Sequence, residues 1–191
     1  MDANQIDVVL KVVSVLEKLN IPYVISGSFA SSIHGLPRAT HDADFIASIK
    51  PEQTAAFAAE LREEFYADEQ SIKHAARTKR HFNIIHLDSI FKVDIFVAKP
   101  SGFETTQIER RQLKILSKDL LQEAYVASAE DTILAKLNWY RRGNEVSDQQ
   151  WEDIKGVIKV QGDRLDMEHL KHWARELGVS DLLERALAEC G

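Results

Sequence analysis

The run Asp42-Ala43-Asp44-Phe45-Ile46-Ala47 sets the tightest constraint on this chain. Its apolar members read as a strand with a buried face, yet two aspartates stand two apart within it. Side chains on a strand alternate, so Asp42 and Asp44 share one face while Ala43 and Phe45 point to the other, which can be core. Carboxylates held this close repel one another unless a cation lies between them. Mg2+ suits the position, because it takes hard oxygen ligands and keeps sites open for phosphate oxygens. The fold must therefore bury one side of this strand and leave the other open.

A second run, Lys92-Val93-Asp94-Ile95-Phe96-Val97, repeats the pattern. Val93, Ile95 and Val97 form an apolar face, and Asp94 lies on the opposite one. If the two strands pair, Asp94 lies about 5 Å from the other acids across the ladder. Three carboxylates on one sheet face can hold two divalent ions about 3.5 to 4 Å apart, the arrangement that clamps entering and leaving oxygens in phosphoryl transfer. Upstream, Gly27-Ser28 ends the β-prone run Tyr23-Val24-Ile25 and opens a short helix, Phe29 to His34. A helix start presents unpaired N–H groups and a partial positive end to an anion. Glycine lets the backbone come close, and the Ser28 hydroxyl can donate to a phosphate oxygen.

The remaining periodicity is consistent with an α+β chain. Ile6 to Leu19 reads as an amphipathic helix ended by Pro22. Pro51 starts a helix whose stripe runs through Phe57, Leu61 and Phe65, and Gly35 reads as the left-handed residue that closes the preceding one. Phe82 to Leu87 and Phe91 to Val97 read as a hairpin. Lys99-Pro100-Ser101-Gly102 is the clearest break. Beyond it the signal is mostly helical, with capping boxes at Ser128 and Ser147 and a cap at Asp166. The expected organisation is a core over 1–100, then a connector and helical region over 101–191 packed on it as one unit.

Gly27-Ser28, Asp42-Ala43-Asp44 and Asp94 in KVDIFV, in that order, resemble the nucleotidyltransferase superfamily with the polymerase-beta-like fold. The run VISGSFASSIHGLPRATHDADFIA is similar to the small stand-alone and abortive-infection toxin-type members. AEDTILAKLNWYRRG and QQWEDI are similar to the helical segment that follows the core there. The resemblance implies a mixed β-sheet flanked by helices with a C-terminal helical region. It also implies a nucleoside triphosphate bound with two Mg2+ ions, or Mn2+ in their place. A nucleoside monophosphate would pass to an acceptor hydroxyl on a protein, an RNA or a small molecule, with release of pyrophosphate. By the same resemblance Asp42 and Asp44 hold the metal that bridges the triphosphate. Asp94 helps bind the second ion and deprotonates the acceptor. Gly27 and Ser28 bind the distal phosphates, Arg38 neutralises phosphate charge, and Thr40 completes an Arg-x-Thr lead-in. Lys136 reaches the triphosphate, and Asp153 positions Lys136 or a nearby arginine. Alternatives are a non-catalytic nucleotide- or protein-binding descendant of the fold, or a toxin restrained by a partner antitoxin protein.

Other residue clusters carry plainer readings. His74, His81 and His86 match no zinc spacing, although His81 and His86 flank a strand near a possible acceptor groove. Arg77, Lys79 and Arg80, and Arg110, Arg111 and Lys114, read as solvated faces more than as RNA contacts. Trp139, Trp151 and Trp173 read as core. With 191 residues, 45% of them apolar, the chain can bury a sizeable core. A net charge of -6 gives no whole-chain pull toward nucleic acid or anionic membrane. One cysteine, Cys190, excludes an intrachain disulfide. No signal peptide or membrane-length apolar run is visible, so a cytoplasmic location is expected.

Overall fold

The computed structural model describes residues 3–117 and 122–191. The chain opens with α1 (Ala3–Lys18), β1 (Tyr23–Ser26), α2 (Gly27–His34) and β2 (Asp42–Ala47). A 3-10 turn at Pro51–Gln53 leads into α3 (Thr54–Leu61), followed by β3 (Phe65–Tyr66), α4 (Glu69–Thr78), β4 (His81–His86) and β5 (Lys92–Val97). Then come α5 (Phe103–Glu109), β6 (Gln112–Ser117) and β7 (Gln122–Val126). Four helices follow: α6 (Ala129–Arg142), α7 (Asp148–Gln161), α8 (Met167–Glu176) and α9 (Ser180–Cys190).

The strands form one mixed sheet in the order β3-β4-β5-β2-β1-β7-β6. β2 lies antiparallel to β1 and parallel to β5, and β4 and β5 form the expected hairpin. Ala43, Phe45, Val93 and Ile95 are fully buried in a core shared with Val9, Val12 and Leu16 of α1, Phe57 of α3 and Ile72 of α4. The aspartates alternate onto the opposite face. The last four helices build their own core around Leu134, Leu137, Trp151, Ile154 and Leu170. Ser128, Ser147 and Asp166 each cap a helix by accepting from the N–H three residues on. The partners that would complete capping boxes turn elsewhere. Asp131 Oδ1 accepts from His169 Nε2 at 2.7 Å, and Gln150 Oε1 accepts from Lys136 Nζ at 3.3 Å.

The secondary structure departs from the sequence reading in three further places. The stretch after Pro100 is not mostly helical at first, since β6 and β7 extend the sheet beyond β1. β6 lies at the sheet edge with Leu113 and Ile115 half-exposed, so its alternation carries little burial signal. β7 is fixed by its pairing with distant β1, where Ile25 is the Cα partner of Val126. Phe65 is not on the helix begun at Pro51, which ends at Leu61; it is buried in β3 opposite His86. Gly35 has φ -127°, so it is not a left-handed cap. It is small because a Cβ there would stand 2.8 Å from Val157 N on α7. Among the described residues no helix is long and apolar enough to cross a membrane.

Candidate functional site

Register brings the acids together. Asp44 is the Cα partner of Asp94 across the parallel β2/β5 pair, of Ser26 across β1, and Asp94 in turn of Asn83 across β4. Asp42 lies one step along the same face, opposite Lys92. The pattern follows from period-two alternation on strands that each keep an apolar face in the core.

Gly27 opens α2 with φ +57°, a conformation costly for any residue with a side chain. The space a Cβ would take is filled by the Asp44 carboxylate, 1.9 Å from the Cβ position to Oδ2. Ser26 makes no side-chain capping bond to α2, so the helix start keeps its anion-facing N–H groups uncapped.

The electrostatics of the acids are strained. Burial pushes the Asp44 carboxyl up to about 6, with Asp42 and then Asp94 adding repulsion. Lys92 Nζ pairs with Asp94 Oδ2 at 2.6 Å and supplies local compensation. Thr40, itself buried, donates from Oγ1 to Asp42 O at 3.0 Å and Oδ1 at 3.2 Å. It therefore faces the acid rather than open space. No group of three His, Cys, Asp or Glu side chains is gathered as a ready-made metal cage among the described residues. The three aspartates are instead aligned by register, with Lys92 beside them. Their chemistry fits a divalent cation: hard anionic oxygens on one sheet face, with a charge that burial and the neighbouring acids make costly at Asp44.

A second network joins the turn to the C-terminal helices. Asp153 on α7 accepts from Arg38 Nε at 2.8 Å and Nη2 at 2.9 Å, and from Lys136 Nζ of α6 at 2.8 Å. Arg38 Nη2 also donates to Ser28 Oγ at 2.7 Å. Arg38 is thus engaged within the protein, and Ser28, accepting from it, keeps its own O–H available to a phosphate. Lys136 is only 3% exposed. Burial lowers its pKa, while the Asp153 carboxylate pulls it back up. Burial raises the Asp153 carboxyl, but Arg38 and Lys136 outweigh that and hold it below the ordinary range.

Gly27, Ser28, Asp42, Asp44 and Lys136 line a cleft of about 510 Å³, whereas Asp94, Arg38, Thr40 and Asp153 stand behind its lining. Trp151 is core and Trp173 packs on it, as expected, but Trp139 is half-exposed and lines the cleft. It has apolar neighbours on α6 but lies off the stripe of Ile133, Leu134, Leu137 and Tyr140, and its ring meets Phe96 edge-on at 5.8 Å. His81 also lines the cleft, whereas His86 lies at the other end of β4, buried against Phe65. Lys79 and Arg80 reach the cleft, while Arg110 is turned toward Glu130, Asp131 and Asp166. Lys92 and Phe96 were not singled out in the sequence. The alternation that placed Asp94 also put both on its face.

No protein-family model matches the chain, and no curated protein matches it. Solved structures do. The antibiotic-resistance factor ANT(2'')-Ia is 15% identical over 97% of this chain and 97% of its own, with a TM-score of 0.60. A nucleotidyltransferase-like protein from Paracoccidioides brasiliensis is 17% identical over 98% of this chain and 94% of its own, with a TM-score of 0.57. The lincosamide antibiotic adenylyltransferase LnuA, in its lincomycin-bound structure, is 13% identical over 84% and 98%, with a TM-score of 0.54. At such identities the likeness is one of fold: this chain has the α+β nucleotidyltransferase fold with C-terminal helices.

Proposed function

We propose that this chain is an Mg2+-dependent nucleotidyltransferase that moves a nucleoside monophosphate from a nucleoside triphosphate to an acceptor hydroxyl. The observation that carries the reading is the alignment of Asp44 with Asp94, beside Asp42 and against the Gly27-Ser28 turn. The fold shared with nucleotidyltransferases supports it.

Asp42, Asp44 and Asp94 are the residues that would hold Mg2+, or Mn2+, which when bound would neutralise phosphate charge and acidify an acceptor hydroxyl. The start of α2 and the Ser28 hydroxyl receive the distal phosphates. Arg38 orients Ser28, and Lys136 contributes a positive charge from the cleft wall. Asp153 fixes both cations. The acceptor oxygen attacks the α-phosphorus and its proton passes to Asp94. The bond from that phosphorus to the bridging oxygen breaks, and pyrophosphate leaves.

The test is incubation of the protein with each α-phosphate-labelled triphosphate, Mg2+ and an extract of the native host. Label should pass to an acceptor, and Asp42→Asn should abolish transfer while circular dichroism shows the fold retained. Absence of transfer from every triphosphate would overturn the reading. A second reading, a non-catalytic nucleotide-binding descendant, is favoured by the Lys92–Asp94 ion pair, which already neutralises one acid. Metal-independent nucleotide binding without transfer would decide for it. A toxin role held by an antitoxin concerns physiology more than chemistry. Growth arrest on expression, relieved by Asp44→Ala, would support it, and unaffected growth would count against it.

A further inference from the structure

We propose that the outer end of the cleft is a subsite for the 3′-terminal nucleotides of a single-stranded nucleic acid, whose terminal hydroxyl is the acceptor. The proposal rests on the transfer reaction above and names its acceptor class. Two residues along the strands from the Asp94–Asp44 row lies a row in which His81 pairs with Phe96, and Phe96 with Ile46. The His81 and Phe96 rings lie 5.5 Å apart at 33°, and Trp139 stands over Phe96. Trp139 is 50% exposed, so part of its indole surface is open to a stacking partner. The Arg142 guanidinium lies 5.8 Å from its centroid.

Cations surround this aromatic row. Lys79 and Arg80 stand at the turn into β4, Lys99 just past β5 and Arg142 at the end of α6, all lining the cleft. Among the described residues none of these four has a carboxylate within ion-pair distance, in contrast to Arg110 and Arg141. Apart from Asp42 and Asp44, Glu104 is the one acid among the described lining residues. A chain of net charge -6 thus concentrates unpaired positive charge where an acceptor would enter. That sign disfavours a polycationic acceptor. Flat rings flanked by unpaired cations match alternating bases and phosphates, since every base has a face to stack and every linkage a charge to neutralise.

Fluorescence anisotropy with labelled single-stranded RNA and DNA oligonucleotides carrying free 3′-hydroxyls tests this, with triphosphate binding measured separately by calorimetry. The intact protein should bind at least one oligonucleotide, and the RNA and DNA arms identify the sugar it accepts. Trp139→Ala should weaken oligonucleotide binding by about tenfold or more, and Trp139→Phe should restore much of it. The double variant Lys79→Ala/Arg80→Ala should flatten the dependence of log K on log salt by about 1.4, the change expected when two fewer phosphates are neutralised. Triphosphate affinity should stay unchanged in all three. A protein that binds triphosphate but neither oligonucleotide overturns the proposal. So does loss of triphosphate affinity in these variants with oligonucleotide binding intact, which would give the row to the donor nucleotide. Oligonucleotide binding by a chain that binds no triphosphate would remove the transfer reading, and the acceptor role with it.

Discussion

Asp44 and Gly27 occupy one another's side-chain space: a Cβ on Gly27 would lie 1.9 Å from Asp44 Oδ2. The carboxylate can face the start of α2 only because position 27 has no side chain. Gly27→Ala adds left-handed strain of about 1–3 kcal/mol to that collision. The variant should lose at least that much stability in urea unfolding, together with its triphosphate binding. Gly27→Ala/Asp44→Gly removes the collision but keeps the strain, so it should recover part of the loss. Wild-type stability in the single variant would contradict the geometry.

Asp153 joins elements that no local sequence signal connects. It holds Arg38 of the loop after α2 and Lys136 of α6, and its side chain and that of Lys136 are 8% and 4% exposed. Removing one member of a buried pair leaves the other charge uncompensated, a loss of about 3–5 kcal/mol. Asp153→Ala should therefore unfold at a much lower denaturant concentration. Asp153→Ala/Lys136→Met should recover most of the loss, because the stranded ammonium is gone. If the double variant is as unstable as the single one, Arg38 carries the dependence instead.

The contrast between these sites explains what was legible in the sequence. Asp42, Asp44 and Asp94 were readable as one face because strand alternation is local and strict, and the register then aligned them. The four C-terminal helices were visible through their caps and stripes. β7 was not, because its identity as a strand depends on pairing with β1 about a hundred residues away. Trp139 is not core because apolar neighbours in sequence do not put a residue on the buried side of a helix: it lies off the stripe of Ile133, Leu134, Leu137 and Tyr140 and faces the cleft. Lys92 was missed because a lysine on a strand has no signature until its partner, Asp94, is known to stand on an open face.

Lys92 and Asp94 offer a separate test. Their ion pair is partly solvated, with the lysine side chain 45% exposed, so it should add no more than about 1 kcal/mol to stability. Any divalent ion at Asp94 must displace the ammonium. Lys92→Met should leave the melting temperature nearly unchanged and tighten Mn2+ binding measured by calorimetry. Weaker Mn2+ binding in the variant would mean that Lys92 does not compete for the position.

The last prediction concerns acid. His34 is 4% exposed at the end of α2, and its Nε2 donates to Ala127 O at 2.7 Å. Burial holds its pKa below the ordinary value of 6.5. The Ala127 carbonyl and Glu130 pull the other way, while Lys114 adds to the depression. Between the folded and unfolded pKa values the unfolded chain binds the extra proton. The stabilising contribution is therefore complete above 6.5 and is lost as pH falls toward the folded value. One such group gives a slope of at most about 1.4 kcal/mol per pH unit. Asp44 acts in the opposite sense: pushed up to about 6, it keeps a proton that the unfolded chain releases, so its contribution fades as pH rises toward that value. The net curve mixes these with other shifted carboxyls, Asp131 and Asp153 among them, and the difference between wild type and His34→Gln isolates the imidazole, since glutamine can keep a donor toward Ala127. Urea unfolding from about pH 7.5 down to about pH 5 should show a shallower acid loss in the variant. Parallel curves would mean that His34 is protonated as readily in the folded chain as in the unfolded one, and that the carbonyl bond offsets its burial.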